Sequence, residues 1–153
     1  MSALDDRLAE LGLVVPATSK PVAAYIPAVT SGNLVYTSGQ LPMVDGVLPA
    51  SGKLGAGVSD EQGKALARQC ALNGLAAVAS VIGSLDRITR VVKVVGFVAS
   101  DPAYTGQPGV INGASEILGE IFGDAGVHAR SAVGVAVLPL DSPVEVELVV
   151  EFA

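Results

Sequence analysis

The sequence predicts an α+β fold, in which two long helices cover one face of a single mixed β-sheet. The first observation is the order of the predicted elements, β-β-(β)-α-β-α-β-β after a short N-terminal helix. The second is composition: 50% of the residues are hydrophobic, but only 4% are aromatic and none is Trp, so the core must be built from Val, Ala, Leu and Ile. The length of 153 residues suits a single domain over residues 1–153, with residues 1–20 as an N-terminal helix and linker.

The N-terminal segment is predicted to be a short helix over residues 2–11. Ser2 can cap this helix, and its leucines recur at the spacing that places them on one face. A linker bounded by prolines follows over residues 16–21.

Two short strands are predicted next, over residues 24–29 and 34–40. The run Thr-Ser-Gly-Asn between them is a typical hairpin turn. Residues 42–58 are rich in Gly and Pro and indicate a loop, with one short strand at residues 43–47.

Both long helices carry clear boundary signals. A Ser-x-x-Gln capping box at Ser59 predicts a helix that runs to Ile82 and ends at Gly83. Pro108 opens the second helix, which runs to Phe122. Each helix has an apolar stripe, and the many alanines of the first suit close packing on a sheet.

The remaining strands are predicted over residues 87–100, 129–138 and 144–152. The first is rich in Val and indicates a long, mostly buried strand. The last two are predicted to form a hairpin joined by residues 139–143.

Alternation along this hairpin predicts one core face and one smooth face. Within the segment 129–138, the larger side chains are assigned to the core. The small residues Ala132, Gly134 and Ala136 are assigned to the opposite face. Arg130, Glu145 and Glu147 are assigned to that opposite face too. A face this smooth favours association with another subunit, the alternative being a plain solvated face.

Within a hairpin, Arg130 lies about 20 Å along the sheet from Glu145. The two side chains of one chain are therefore too far apart to contact one small ligand. If both serve one site, that site must lie between subunits.

The overall charge and the cysteine count exclude several functions. The formal charge is −6, with 15 acidic and 9 basic residues, so the chain does not favour nucleic acid. The single cysteine, Cys70, permits no intrachain disulfide, which indicates a reducing, cytoplasmic location. One His and one Cys are too few for a zinc site, and the sequence has no apolar run of 18 residues, so no membrane span is expected.

Arg130 stands alone among Ala, Val and Gly at the start of its strand. Its rigid fork of donors suits a carboxylate or a phosphate, so Arg130 is a candidate anion anchor. The alternative is an arginine at a strand end with its head group in water.

Several motifs together resemble the YjgF/YER057c/UK114 family, also called the reactive intermediate deaminase (Rid) or endoribonuclease L-PSP family. The matching segments are Gly-Asn-Leu-Val-Tyr-Thr-Ser-Gly-Gln-Leu-Pro at 32–42, Gly-Phe-Val-Ala-Ser at 96–100, Val-Ile-Asn at 110–112, Ala-Arg-Ser at 129–131, Leu-Pro at 138–139 and Val-Glu-Val-Glu at 144–147. The resemblance covers residues 21–153. The N-terminal helix and the long loop before Ser59 resemble the longer-chain branch of the family.

This resemblance implies a fold like that of trimeric chorismate mutase, a mixed sheet backed by two helices. The sheets of a homotrimer then form a barrel, with a cleft at each interface between subunits. The implied activity is hydrolysis of enamines and imines, such as 2-aminoacrylate and related 2-imino acids, to 2-keto acids and ammonia. The resemblance implies no metal and no cofactor.

The resemblance also implies roles for five residues. Arg130 matches the arginine that holds the substrate carboxylate, and Glu145 matches a glutamate that positions or activates water. Ser38, Asn112 and Tyr25 match residues that line the substrate cleft, with Tyr25 in the weakest local match. Where the best-studied branch often has a cysteine two residues after the arginine, this chain has Ala132.

Other interpretations remain open from the sequence. The chain could be a non-catalytic trimer that binds small carboxylates such as 2-keto acids. A ribonuclease or translation inhibitor is a further alternative, which the acidic charge disfavours. His128 is an alternative acid or base, or else makes only a local hydrogen bond. Cys70, on an alanine-rich helix, is expected to be a small buried residue.

Overall fold

The structure, a computed structural model, describes residues 2–18 and 24–153; the rest of the predicted linker, from residue 19 on, lies outside the described residues. The elements are α1 (Ala3–Glu10), β1 (Ala28–Ser31), β2 (Leu34–Thr37), β3 (Lys53–Leu54), β4 (Gly57–Val58), α2 (Asp60–Ile82), β5 (Ile88–Ala99), α3 (Gln107–Phe122), β6 (Ala129–Val135) and β7 (Val144–Phe152). Short 3₁₀ turns lie at Leu85–Arg87, Gly123–Gly126 and Pro139–Asp141.

The main sheet has five strands in the order β1-β2-β7-β5-β6. Strands β5 and β6 are parallel and are connected through α3, whereas the other pairs are antiparallel. Helices α2 and α3 pack together on one face of this sheet, and β3 and β4 form a separate parallel pair. The predicted α+β fold, a mixed sheet backed by two helices, is confirmed.

Local capping sets the ends of the long helices. Ser59 Oγ accepts a hydrogen bond from the Gln62 amide, and Gln62 Oε1 accepts one from the Ser59 amide. At the other end Gly83, with φ 86°, ends α2 in a conformation that favours glycine. The predicted start and end of α2 are therefore confirmed.

The N-terminal helix α1 is held on the rest of the fold. Ser2 caps it by accepting a hydrogen bond from the Asp5 amide. Its Leu4 and Leu8 pack against the core, and Arg7 Nε donates to the Glu120 carbonyl oxygen at 2.9 Å. This helix contacts the C-terminal part of α3.

The core lies between the helices and the main sheet. Strand β7 alternates as predicted, with Val144, Val146, Leu148 and Val150 buried against the helices. Cys70 on α2 is fully buried, and its Sγ donates to the Val144 carbonyl oxygen at 3.8 Å. Its predicted role as a small buried residue is confirmed.

The predicted hairpin between the last two strands is wrong. Strand β5 lies between β6 and β7: Val94 pairs with Arg130 on one side and with Leu148 on the other. The long apolar β5 has hydrogen-bonding edges on both sides, and α3 returns the chain to one of them. Residues 136–143 then cross over the end of β5 to reach the other edge.

The predicted face assignment of β6 is also wrong. Arg130 and Ala132 lie on the helix side of the sheet, and Val133 lies on the opposite side, where it is 46% exposed. Edge strand β6 lies close beneath α3 and its entry loop, so small side chains suit the helix side. A Cβ at Gly134, for example, would lie 2.8 Å from Gln107 Nε2.

The early strands are shorter than predicted. Strand β1 begins at Ala28 rather than at residue 24, and β2 ends at Thr37. The predicted strand at residues 43–47 is a tight turn instead, in which Val44 and Val47 exchange two backbone hydrogen bonds of 2.9 Å. The hairpin turn between β1 and β2 is confirmed.

Helix α2 is long and apolar enough to cross a membrane by length and composition alone. However, 61% of its most apolar window is buried inside the fold. It packs against α3 and the sheet, so core packing accounts for its apolar surface.

Gly113 on α3 gives a test of how closely the two helices pack. A Cβ there would collide with the Lys64 carbonyl oxygen of α2, whereas a Cβ at Gly119 of the same helix would meet nothing within 4 Å. We expect Gly113→Ala to lower the free energy of unfolding by about 1–3 kcal/mol. Gly119→Ala should raise it by up to about 1 kcal/mol, because alanine is the better helix former.

Urea unfolding followed by circular dichroism measures both variants. Equal stabilisation by the two substitutions would contradict the close helix contact.

Candidate functional site

Arg130 lies on edge strand β6 with its side chain directed toward α3. Its Nη1 donates to Asn112 Oδ1 at 2.7 Å and to Ser115 Oγ at 3.3 Å. Asn112 and Ser115 are three residues apart on α3, so they share the helix face that meets the arginine. Both hydrogens of Nη1 are thereby used by neutral oxygen atoms.

The guanidinium of Arg130 has no carboxylate within 4.0 Å among residues 2–18 and 24–153. Its Nε and Nη2 make no hydrogen bond to that part of the chain. These two nitrogens present parallel N–H bonds, the arrangement that binds a carboxylate through both oxygens. A half-buried cation fixed only by neutral groups therefore offers an anion site.

His128 lies beside this group. Its Nδ1 is 2.6 Å from the Gly126 carbonyl oxygen, and its Nε2 is 2.9 Å from Ser115 Oγ. The predicted local hydrogen bond is therefore present, and the ring also contacts the residue that binds Arg130.

Glu145 lies on β7 and is directed away from the helices. Its carboxylate folds over Gly39, where a Cβ would collide with Glu145 Oε1. Burial raises the pKa of Glu145, and the charge of Glu147 raises it further. The sequence did not single out Gly39, although it lies in the Thr-Ser-Gly-Gln segment quoted above.

Ser38 and Tyr25 lie near the start of the main sheet. Ser38 Oγ donates to the Ile26 carbonyl oxygen at 2.7 Å, and the Ser38 amide donates to the Pro27 carbonyl oxygen at 2.8 Å. The serine hydroxyl thus holds the preceding segment. Tyr25, 54% exposed, lies next to Ile26 in that segment.

The predicted site residues fall into two groups on opposite faces of the sheet. Arg130 and Asn112 meet on the helix side, whereas Glu145 and the Ser38 turn meet on the other. The register places Arg130 level with Leu148, so its Cα lies two strands and three residues from that of Glu145, about 14 Å away. One chain does not bring the two groups together.

The face that carries Glu145 bears a cluster of exposed apolar side chains and is uncovered in the single chain. Its exposed hydrophobic side chains include Val29, Tyr36 and Val133, which are 52%, 43% and 46% exposed. Val95, Phe97 and Val149 lie half-buried between them. Clustered apolar exposure of this kind is typical of a protein interface.

Comparison with known proteins agrees with this architecture. The family model described as "YjgF/chorismate mutase-like, putative endoribonuclease" matches residues 5–152. The chain belongs to the YjgF/chorismate-mutase-like family. Protein TCP17 of Trypanosoma cruzi is 44% identical over 146 residues, which cover 95% of this chain and 91% of that protein.

Two solved structures are similar to this chain. Protein Atu1372 of Agrobacterium tumefaciens, whose function is described as unknown, is 43% identical with a TM-score of 0.91, covering 98% of this chain and 92% of that one. The YjgF gene product of E. coli is 27% identical with a TM-score of 0.65, covering 90% and 94%.

The raised pKa of Glu145 predicts a pH-dependent effect on stability. The folded chain binds this proton more tightly than the unfolded chain, whose value is near 4.5, so stability falls as pH rises through the folded pKa. We expect Glu145→Gln to raise the urea midpoint at pH 7, with the difference vanishing below pH 4. Glu147→Gln should act in the same direction but less, because burial is the larger cause.

Urea unfolding of the three proteins at both pH values checks the order. A Glu145→Gln variant less stable than wild type at pH 7 would contradict it.

Proposed function

We propose that this protein is a hydrolytic deaminase of enamines and imines, which converts 2-aminoacrylate-like 2-imino acids to 2-keto acids and ammonia. The observation that carries the proposal is the Arg130 guanidinium, held by Asn112 and Ser115 without an acidic partner in the described part of the chain. Such a cation suits a small substrate with a carboxylate. Membership of the family supports the same reaction class.

The substrate carboxylate would bind to Nε and Nη2 of Arg130. This fixes the imine carbon at one position relative to the protein, which lowers the entropic cost of the water attack. An enamine first takes a proton on carbon to become an imine. The reaction then needs only water and proton transfers, so side chains alone can carry it.

Glu145 is proposed as the general base. It would take a proton from water as the oxygen attacks the carbon of the protonated imine, and return that proton to the nitrogen. It would then take the proton of the new hydroxyl group as the C=O bond forms and ammonia leaves, and release that proton to solvent. Its raised pKa makes the carboxylate a stronger base than an exposed glutamate. Ser38 and Tyr25 are proposed to line the same cleft.

We further propose that the site lies between the subunits of a homotrimer. Arg130 and Glu145 lie on opposite faces of one sheet, so a neighbouring chain must supply one of them. The exposed apolar face around Val133 supports contact with such a neighbour. The single buried Cys70 supports a cytoplasmic location.

Experiments distinguish two other functions from the proposed deaminase activity. A non-catalytic carboxylate binder would keep ligand binding to Arg130 without turnover. A nuclease would need attraction to a phosphate backbone, which the net charge of −6 disfavours.

An imine competition assay tests the proposed activity. An amino acid oxidase generates 2-imino acids, semicarbazide traps them, and the protein competes by hydrolysing them. We expect wild type to lower the trapped product and Arg130→Ala to leave it unchanged. Arg68→Ala, which removes the same charge from an exposed position on α2, should behave like wild type.

If wild type fails with imines from several amino acids, the deaminase proposal is wrong. Binding of a 2-keto acid that depends on Arg130 would then favour the binder. Equal activity of Arg130→Ala and wild type would show that Arg130 has no role in the reaction.

A further inference from the structure

A continuous chain of hydrogen bonds connects a backbone carbonyl to Arg130. It runs from the Gly126 carbonyl oxygen to His128 Nδ1 at 2.6 Å, and from His128 Nε2 to Ser115 Oγ at 2.9 Å. Ser115 Oγ then accepts from Arg130 Nη1 at 3.3 Å. The imine chemistry proposed above uses Ser115 only as a contact of Arg130 and does not use His128.

The two ends of this chain determine where its hydrogens lie. A carbonyl oxygen only accepts, so His128 Nδ1 must carry the hydrogen that it donates to Gly126. In the neutral ring Nε2 is then the acceptor, and it receives the Ser115 hydroxyl hydrogen. With that hydrogen directed at His128, a lone pair of Ser115 Oγ is left to face the guanidinium, which only donates.

The Gly126 end of this hydrogen-bond network is fixed to α3 as well. A Cβ at Gly126 would collide with the Leu118 carbonyl oxygen, so the turn Gly123–Gly126 lies directly against the helix. Ser115 belongs to that same helix. Gly126 and Ser115 thus belong to one rigid unit, and Arg130 is the only member of the hydrogen-bond network from β6.

We propose that His128 is a positioning residue, which acts through Ser115 to orient the free Nε and Nη2 of Arg130 toward a ligand carboxylate. The inference rests on the proposed function, in which Arg130 is the anion anchor. Without the histidine acceptor, the Ser115 hydroxyl is free to turn its hydrogen toward Arg130. Binding would then have to order a side chain that the intact protein already holds.

Two substitutions of His128 separate positioning from local structure. Glutamine places its amide near the position of Nε2 and can still accept from Ser115. Asparagine places its amide near Nδ1, so it keeps the contact with Gly126 and loses Ser115. We expect pyruvate, the simplest stable 2-keto acid, to bind about tenfold more weakly to His128→Asn, and with nearly wild-type affinity to His128→Gln.

Ser115→Ala should weaken pyruvate binding by the same factor as His128→Asn. The double variant should be no weaker than either single variant, because both break one chain of contacts. Titration calorimetry measures these dissociation constants. Thermal unfolding by circular dichroism confirms that each variant is folded.

The controls distinguish two failures. If Arg130→Ala loses pyruvate but His128→Asn and Ser115→Ala bind it like wild type, the positioning role is wrong and the anchor stands. Equal weakening by His128→Gln and His128→Asn also overturns the positioning role. If wild type fails to bind pyruvate, or Arg130→Ala binds it equally well, the anchor and the positioning role are both wrong.

Discussion

Helix α3 lies so close to strand β5 that Ile111 occupies the space a side chain at position 96 would fill. On its other side, Gly113 allows the same helix to contact the backbone of α2 at Lys64. Glycines at both contacts permit this approach, since any Cβ would force the elements apart. The position of α3 over the sheet is therefore tightly set, and the groups that reach Arg130 depend on it.

Because α3 is fixed in this way, Asn112 and Ser115 reach the edge strand β6 at hydrogen-bonding distance from Arg130. A partly buried cation is costly unless its donors are satisfied. Here neutral oxygens satisfy one nitrogen of Arg130 and leave its charge uncompensated by the described chain. The uncompensated charge of Arg130 thus lowers the stability of the fold, and a bound anion would offset this loss.

Helix ends are predicted correctly from the sequence, because the residues that set them are neighbours along the chain. The capping box at Ser59 and the glycine at Gly83 are examples, and they set both ends of α2. The partner of strands β6 and β7 is not set by neighbouring residues. Both strands pair with β5, and the order of strands along the chain does not show that β5 lies between them. The predicted face of β6 is wrong for a related reason. The start of α3 lies close to the helix side of this strand at Gly134, whereas Val133 lies exposed on the other side.

The structure brings together only some of the predicted site residues. The lone arginine and the family resemblance single out Arg130 and Asn112, and these two side chains meet at 2.7 Å. Ser115 was missed, although its spacing of three residues from Asn112 on one helix was a usable signal. Arg130 and Glu145 do not meet within one chain, because they lie on opposite faces of the sheet.

A complementation experiment tests the shared site most directly. Arg130→Ala and Glu145→Gln chains, each expected to be inactive alone, are co-expressed with different tags, and oligomers that carry both tags are purified. If neighbouring chains supply the two residues, one of the three sites in each mixed trimer regains both, and imine hydrolysis returns to about a third of the wild-type rate per site. Mixed trimers, verified by native mass spectrometry, that remain inactive would contradict a site shared between subunits.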